Sequence, residues 1–266
     1  MGSLELLVDP LFRMGFLSGL VVALVTPAVG LYLRLRGEWL AALALAQVAG
    51  AGGVLAALVA VPPMAGAVAC ALVAVAAKGT CYRAGNDAYA VLILLGWSAM
   101  LIGGELSHSG HMVGRSLMDG QLYFATWVNL ATALGVAVVV IAALPLLSRR
   151  LLRDQLFPGH DRANGRAVWP VTLGFDLVAA LTIAVAATSV GLFGAFALVF
   201  VPGWIAFGVA PSWRWALIMA SGIGVSGYLA AFVGAVLLDL PFGPVLVASL
   251  LACLPLRLLG RRLSSA

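Results

Sequence analysis

The sequence predicts an all-α polytopic membrane protein with eight or nine transmembrane helices. Of its 266 residues, 63% are hydrophobic and only 9% charged, and the mean hydropathy is +1.11. Soluble chains carry about 25% charged and about 45–50% apolar residues, so a soluble fold would leave apolar surface it has no means to cover. Apolar runs of membrane-crossing length recur along the whole chain; a hydrocarbon core of roughly 30 Å takes about 20 apolar residues per helix. An open strand in lipid would leave backbone groups unpaired, so each run is read as a helix.

The first run, 14–33, carries the small-residue pattern Gly15-x-x-x-Gly19 and ends in Arg34 and Arg36. Such residues let helices approach closely in lipid. The second, 39–61, contains one amide, Gln47, and stops at Pro62–Pro63, a break that marks a tight turn. The third, 64–77, is short and ends at Lys78; the fourth spans 88–104. The fifth, 121–147, leads into the most charged stretch of the chain, Ser148 to Ala167. Runs at 168–188, 190–209, 215–237 and 243–258 follow, the last again short. Pro202 lies inside one run and predicts a bend, while Gly191 and Gly194 predict close helix packing.

Counted over nine spans, one set of loops holds 13 basic residues and the other only Arg13 and Arg115. This asymmetry predicts an N-terminus outside and a C-terminus in the cytoplasm. It also accounts for the pI of about 9.6 without nucleic acid: the basic residues are scattered among apolar runs. Cys70, Cys81 and Cys253 make no disulfide framework. There is no C-x-x-C pair, no phosphate-binding glycine loop and no nucleophile elbow. Glu5 and Asp9 stand where a cleavable signal peptide has basic residues.

Several stretches acquire meaning together. From Leu177 the chain carries Ala180-Leu181-Thr182, Val190-Gly191, Ala197-Leu198 and Pro202, and later Asp239-Leu240-Pro241-Phe242-Gly243-Pro244. Earlier come Pro27-Ala28-Val29-Gly30 in the first run and the Gly-containing turn Leu117 to Tyr123. In this order they resemble the membrane subunit of zinc/manganese-type ABC importers, over nearly the whole chain. The resemblance implies one permease domain, 1–266, with the type II (cobalamin-importer-like) fold. It implies a homodimer in the bacterial inner membrane, around a pathway for zinc, manganese or a metal chelate. ATP would be hydrolysed by separate ATPase subunits, an extracytoplasmic solute-binding protein would deliver cargo, and this chain would carry no cofactor and no enzymatic activity. Within loop 148–167, Phe157, Pro158, Asp161, Arg162 and Gly165 fall at the family's coupling helix, with Asp161 and Arg162 presented to the ATPase. Pro158–Gly159 opens this short helix and Asn164–Gly165 ends it. The alternative class is an ion-coupled secondary transporter, although Pro27, Pro145 and Pro202 show no matching half-helix breaks of the kind inverted repeats display.

The resemblance also exposes a departure. The family's second span carries an Asp and, four residues on, a His; those positions here are Ala41 and Leu45, or, with a three-residue gap, Glu38 and Ala42. Three polar residues are candidates for the pathway: Asp176, Glu38 and Gln47. Glu38 reads as a ligand or as a solvated cap beside Arg36, and Gln47 as a pathway group or as an amide bridging helices. Asp176 lies inside the sixth span, where an ionised carboxylate costs on the order of 2.5–3.5 kcal/mol, so it faces a cavity or pairs with a rim cation such as Arg166. The outer loop offers Glu105, His108 and His111, residue types that suit zinc, on what is otherwise a flexible solvated loop.

Overall fold

A computed structural model describes residues 10–80, 86–120, 125–165 and 167–257. These form α1 (Pro10–Leu35), α2 (Leu40–Leu58), α3 (Pro63–Thr80), α4 (Asn86–Leu106), α5 (His108–Asp119), α6 (Trp127–Leu156), α7 (His160–Ala163), α8 (Trp169–Val190), α9 (Leu192–Val209), α10 (Trp213–Leu238) and α11 (Phe242–Leu251). There is no strand among the described residues. Seven helices are long and apolar enough to cross a membrane, and α3 and α11 are shorter apolar helices. The nine follow the nine runs in order, and the two short ones are the third and last, as expected.

The chain departs from expectation in three places. Helix α6 does not stop at 147 but continues through Arg149, Arg150 and Arg153 to Leu156. Arginine and leucine are good helix formers, and the helix ends only where Pro158 restricts the residue before it. The outer stretch expected to be a loop is the amphipathic helix α5, whose N-cap Ser107 accepts a 2.9 Å hydrogen bond from the Gly110 N–H. Regular helix in α11 ends at Leu251, and tighter i→i−3 bonds carry the chain on past Pro255 to Arg257; proline has no N–H to continue the α pattern.

Lipid tails are as apolar as leucine, so shape rather than hydrophobicity decides how these helices meet. Helices α1, α2, α8 and α9 bury most of their surface, α4 and α6 the least. Gly52 and Gly66 face each other across α2 and α3, and Gly30 of α1 lies directly against the Val199 carbonyl of α9. The Gly15/Gly19 pattern works differently: Gly19 accommodates the ring of Tyr228, whose hydroxyl donates to the Phe16 carbonyl at 3.0 Å.

Gly191 is not a helix-packing residue but the break between α8 and α9, with φ +87°. Around it three turns converge. A side chain on Gly191 would meet the Met118 carbonyl, one on Gly120 the Val190 carbonyl and one on Gly243 the Asp119 carbonyl, each at 3.1 Å. The glycines of three separate sequence motifs thus form a single junction at the end of the bundle opposite the arginines.

Candidate functional site

At the arginine-rich end, four charged side chains and a tyrosine close into one cluster. Helix α1 ends at Leu35, and Gly37, at φ +71°, reverses the chain while the Glu38 N–H returns to the Leu33 carbonyl. Positive φ is cheap for glycine, and the tight turn aims both Arg36 and Glu38 inward. The Arg36 guanidinium donates to Asp176 Oδ1 at 2.7 Å and to Glu38 Oε1 at 3.1 Å. Lys78 Nζ donates to Glu38 Oε2 at 2.8 Å and to Asp176 Oδ2 at 2.9 Å. The Tyr89 hydroxyl adds a 3.0 Å bond to Glu38 Oε2. Each cation bridges both carboxylates, and the ring ties the α1–α2 turn, α3, α4 and α8 together.

The four side chains are between 8% and 19% exposed. Burial is the largest single influence on Glu38 and favours its neutral form, but Arg36, Lys78 and the Tyr89 hydroxyl together outweigh it and hold the carboxyl below the usual glutamate range. Arg36 is likewise penalised first by burial and more than compensated by Asp176 and Glu38, so its guanidinium is held above its ordinary value. Both groups are charged at neutral pH. Two positive and two negative charges cancel, so the buried cluster presents no net charge.

These contacts decide between the alternatives for two residues. Asp176 pairs with a cation, but with Arg36 and Lys78; Arg166 lies outside the described residues. Glu38 is not a solvated cap but a buried member of the ring. Gln47 joins neither carboxylate: it is buried in α2 where α4 crosses at Gly96, and its Oε1 has no protein partner. A cavity of about 10 Å³ beside the ring is lined by Ala41, Leu45, Lys78, Tyr89 and Asp176. That is room for no more than one water. In the register that sets the family's Asp and His at Ala41 and Leu45, those two positions are apolar, and Lys78 lines the same cavity. Sequence reasoning missed Lys78 and Tyr89 because Lys78 counted only as a loop charge and Tyr89 as part of an apolar run.

The outer residues do not converge. Glu105 lies in the last turn of α4 and His108 opens α5, so the break at Ser107 removes the common face; only His111 Nδ1 and Glu105 Oε1 approach, at 3.9 Å. Among the described residues, no three His, Cys, Asp or Glu side chains are grouped to hold a metal ion. The cavity of about 310 Å³ beside His111 also contains the cation Arg115.

Loop 148–167 contains the short helix as expected, between Gly159 at φ +86° and Gly165 at φ +67°. Asp161, however, is not presented outward. It is 7% exposed, and its Oδ2 accepts from the Arg153 guanidinium at 3.2 Å, which straps α7 to the end of α6. Phe157, Pro158, His160 and Gly165 are exposed. Of Arg162 only the backbone lies within the described residues.

The sequence profile of the ABC 3 transport family matches residues 9–259. The chain belongs to that family. No curated protein matches the sequence. Among solved structures, PsaBC from Streptococcus pneumoniae in complex with Fab aligns with a TM-score of 0.80 at 17% identity, over 95% of this chain and 91% of that one. A metal-chelate type ABC transporter in an inward-facing conformation aligns at 0.64 and 17% identity, over 92% and 85%. The shared fold of this ABC 3 chain is thus the type II permease fold that the motifs implied, and family membership sets aside the secondary-transporter alternative. The converging glycines Gly120, Gly191 and Gly243 belong to the motifs that carried the resemblance.

Proposed function

We propose that the chain forms the membrane pathway of an ABC importer for a divalent metal ion, zinc or manganese, or for its chelate. The family match over 9–259 carries this reading, supported by the fold shared with PsaBC and a metal-chelate type transporter. In the proposal two copies enclose the pathway in a bacterial inner membrane, with the N-terminus outside. Separate subunits hydrolyse ATP, and an extracytoplasmic protein delivers the cargo.

Within this scheme Asp176 and Glu38 act as a charge clamp at the cytoplasmic end rather than as metal ligands. A dication approaching them would have to displace Arg36 and Lys78, since their oxygens already accept from these cations. Such an exchange leaves two buried cations unpaired, which is costly. This favours cargo whose charge is already neutralised, a metal chelate.

Phe157 and Pro158 are the proposed contact to the ATPase, with α7 held in place by the Arg153–Asp161 pair. Phe157→Ala should abolish co-purification of the ATPase subunit while leaving the thermal midpoint of the purified chain unchanged, because Phe157 is 64% exposed. Asp161→Asn should lower both, since a hydrogen bond to a charged group contributes about 1.5–3 kcal/mol. Full ATPase recovery with Phe157→Ala would place docking elsewhere.

Expressed with its ATPase, the wild-type chain should purify as a two-plus-two complex that hydrolyses ATP, and alone it should hydrolyse none. Robust hydrolysis by the isolated chain would overturn the assignment.

A further inference from the structure

The cavity of about 310 Å³ lies between the last two turns of α4 and one face of α5, at the end of the bundle away from the arginines. On α5 its lining residues His111, Gly114, Arg115 and Met118 recur at the three- and four-residue spacing of a single helix face. Two glycines line it, Gly104 and Gly114, and packing requires neither. A Cβ on Gly104 would stand 3.9 Å from the Gly110 carbonyl oxygen and from His111 Cα, and one on Gly114 3.6 Å from Val54 Cγ2, all ordinary contacts. Neither residue has the positive φ that favours glycine. Glycine within a helix costs about 1 kcal/mol against alanine; what these two supply is open volume. The rim is charged. His111 Nδ1 lies 3.9 Å from Glu105 Oε1, and one turn on Arg115 Nε lies 4.0 Å from Asp119 Oδ2, all four side chains being exposed.

A carboxylate facing Nδ1 favours the tautomer that carries its proton there, which leaves the Nε2 lone pair free for a metal. One imidazole and one carboxylate do not hold a bare dication. Among the described residues no third His, Cys, Asp or Glu side chain joins them, and Arg115 in the same cavity repels it. A metal already held by a small chelator needs fewer protein ligands, and the chelator's carboxylates need a cation. A guanidinium has five N–H donors, more than its single contact to Asp119 occupies, and it pairs well with carboxylate. We propose that this cavity receives an anionic carboxylate chelate of a divalent metal. His111 Nε2 takes an open coordination position, Arg115 binds a chelator carboxylate, and Glu105 positions the imidazole. The inference rests on the importer reading above, in whose orientation the cavity faces outward, where cargo arrives. Met118, which also lines the cavity, has its carbonyl against Gly191, so the site adjoins the glycine junction.

The test uses the complex of the chain with its ATPase, purified without a histidine tag and titrated calorimetrically with zinc nitrilotriacetate, zinc chloride or metal-free nitrilotriacetate. Zinc nitrilotriacetate is an anion whose chelator leaves coordination positions open. The wild type should bind it more tightly than it binds either component. Arg115→Gln should weaken it about tenfold, as loss of a charge-assisted hydrogen bond does, and His111→Ala by at least as much. Both positions are exposed, so the thermal midpoint should not move, which separates a lost site from a misfolded chain. Gly104→Leu, which fills the cavity, should abolish binding. His108→Ala, on the same helix but outside the cavity, should bind as the wild type does. Absence of binding by the wild type, or equal affinity in the wild type and Arg115→Gln, would overturn the proposal. So would zinc chloride binding that depends on His111 and matches the chelate's. With the ATPase still co-purifying, these results strike this site alone; a wild-type chain that recruits no ATPase would overturn the importer reading and this proposal with it.

Discussion

Asp176→Asn will sharply destabilise the purified chain, and Lys78→Met added to it will restore much of the loss. Asn keeps the shape of Asp176 but leaves Arg36 and Lys78 sharing only Glu38, a net positive charge inside the bundle. Breaking a buried ion pair from one side typically costs about 3–5 kcal/mol, because the remaining charge is uncompensated. In the double variant Arg36 and Glu38 still form a neutral pair at 3.1 Å, so the two substitutions should be far from additive. Thermal unfolding of the two single variants and the double variant measures this coupling. If Asp176→Asn matches the wild type, the ring is not a clamp. If the single variant is stable yet loses only metal uptake, Asp176 is a ligand after all.

The clamp also has a pH signature. The folded chain holds Glu38 below its ordinary value of 4.5. Its contribution is therefore fully present above the unfolded value and fades as acid protonates it through the lowered folded value. Stability should be insensitive to this group across the neutral range, and Glu38→Gln should remove part of the loss seen in acid.

Gly191→Val is the second large effect. At φ +87° and ψ 161° the residue occupies a region open essentially to glycine alone, and a non-glycine residue there costs about 1–3 kcal/mol. The added side chain also meets the Met118 carbonyl, the Gly120 nitrogen and the Leu117 carbonyl within 3.2 Å. Backbone atoms in a three-way junction have little room to yield, and overpacking adds a further 1–3 kcal/mol or so. The variant should fail to accumulate as monodisperse protein on size-exclusion chromatography, and Gly191→Ala should be intermediate. Wild-type behaviour of the Val variant would mean that the junction is loose.

How far the sequence revealed this arrangement depends on the length scale of the signal. Apolar runs are local, so all nine helices were legible, as was the short helix between Gly159 and Gly165. Helix α5 was missed because its composition is polar and its signal was a single capping serine, Ser107. The charge ring was half legible. An acid at position 176 inside an apolar run announces that it needs a partner, but Arg36 lies 140 residues away in sequence and Lys78 98 residues away. Only the packing of α1 and α3 against α8 brings them together. Asp161 misled for the converse reason: a charged residue in a polar loop reads as exposed until Arg153, one turn from the end of α6, is seen to reach back to it.

The most direct measurement is uptake by proteoliposomes containing the chain with its ATPase, supplied with its binding protein and radiolabelled zinc or manganese, free or chelated. Accumulation that requires ATP and the binding protein, with the chelate favoured over the free ion, is the predicted result. Accumulation that follows an ion gradient without ATP or the ATPase would contradict the account.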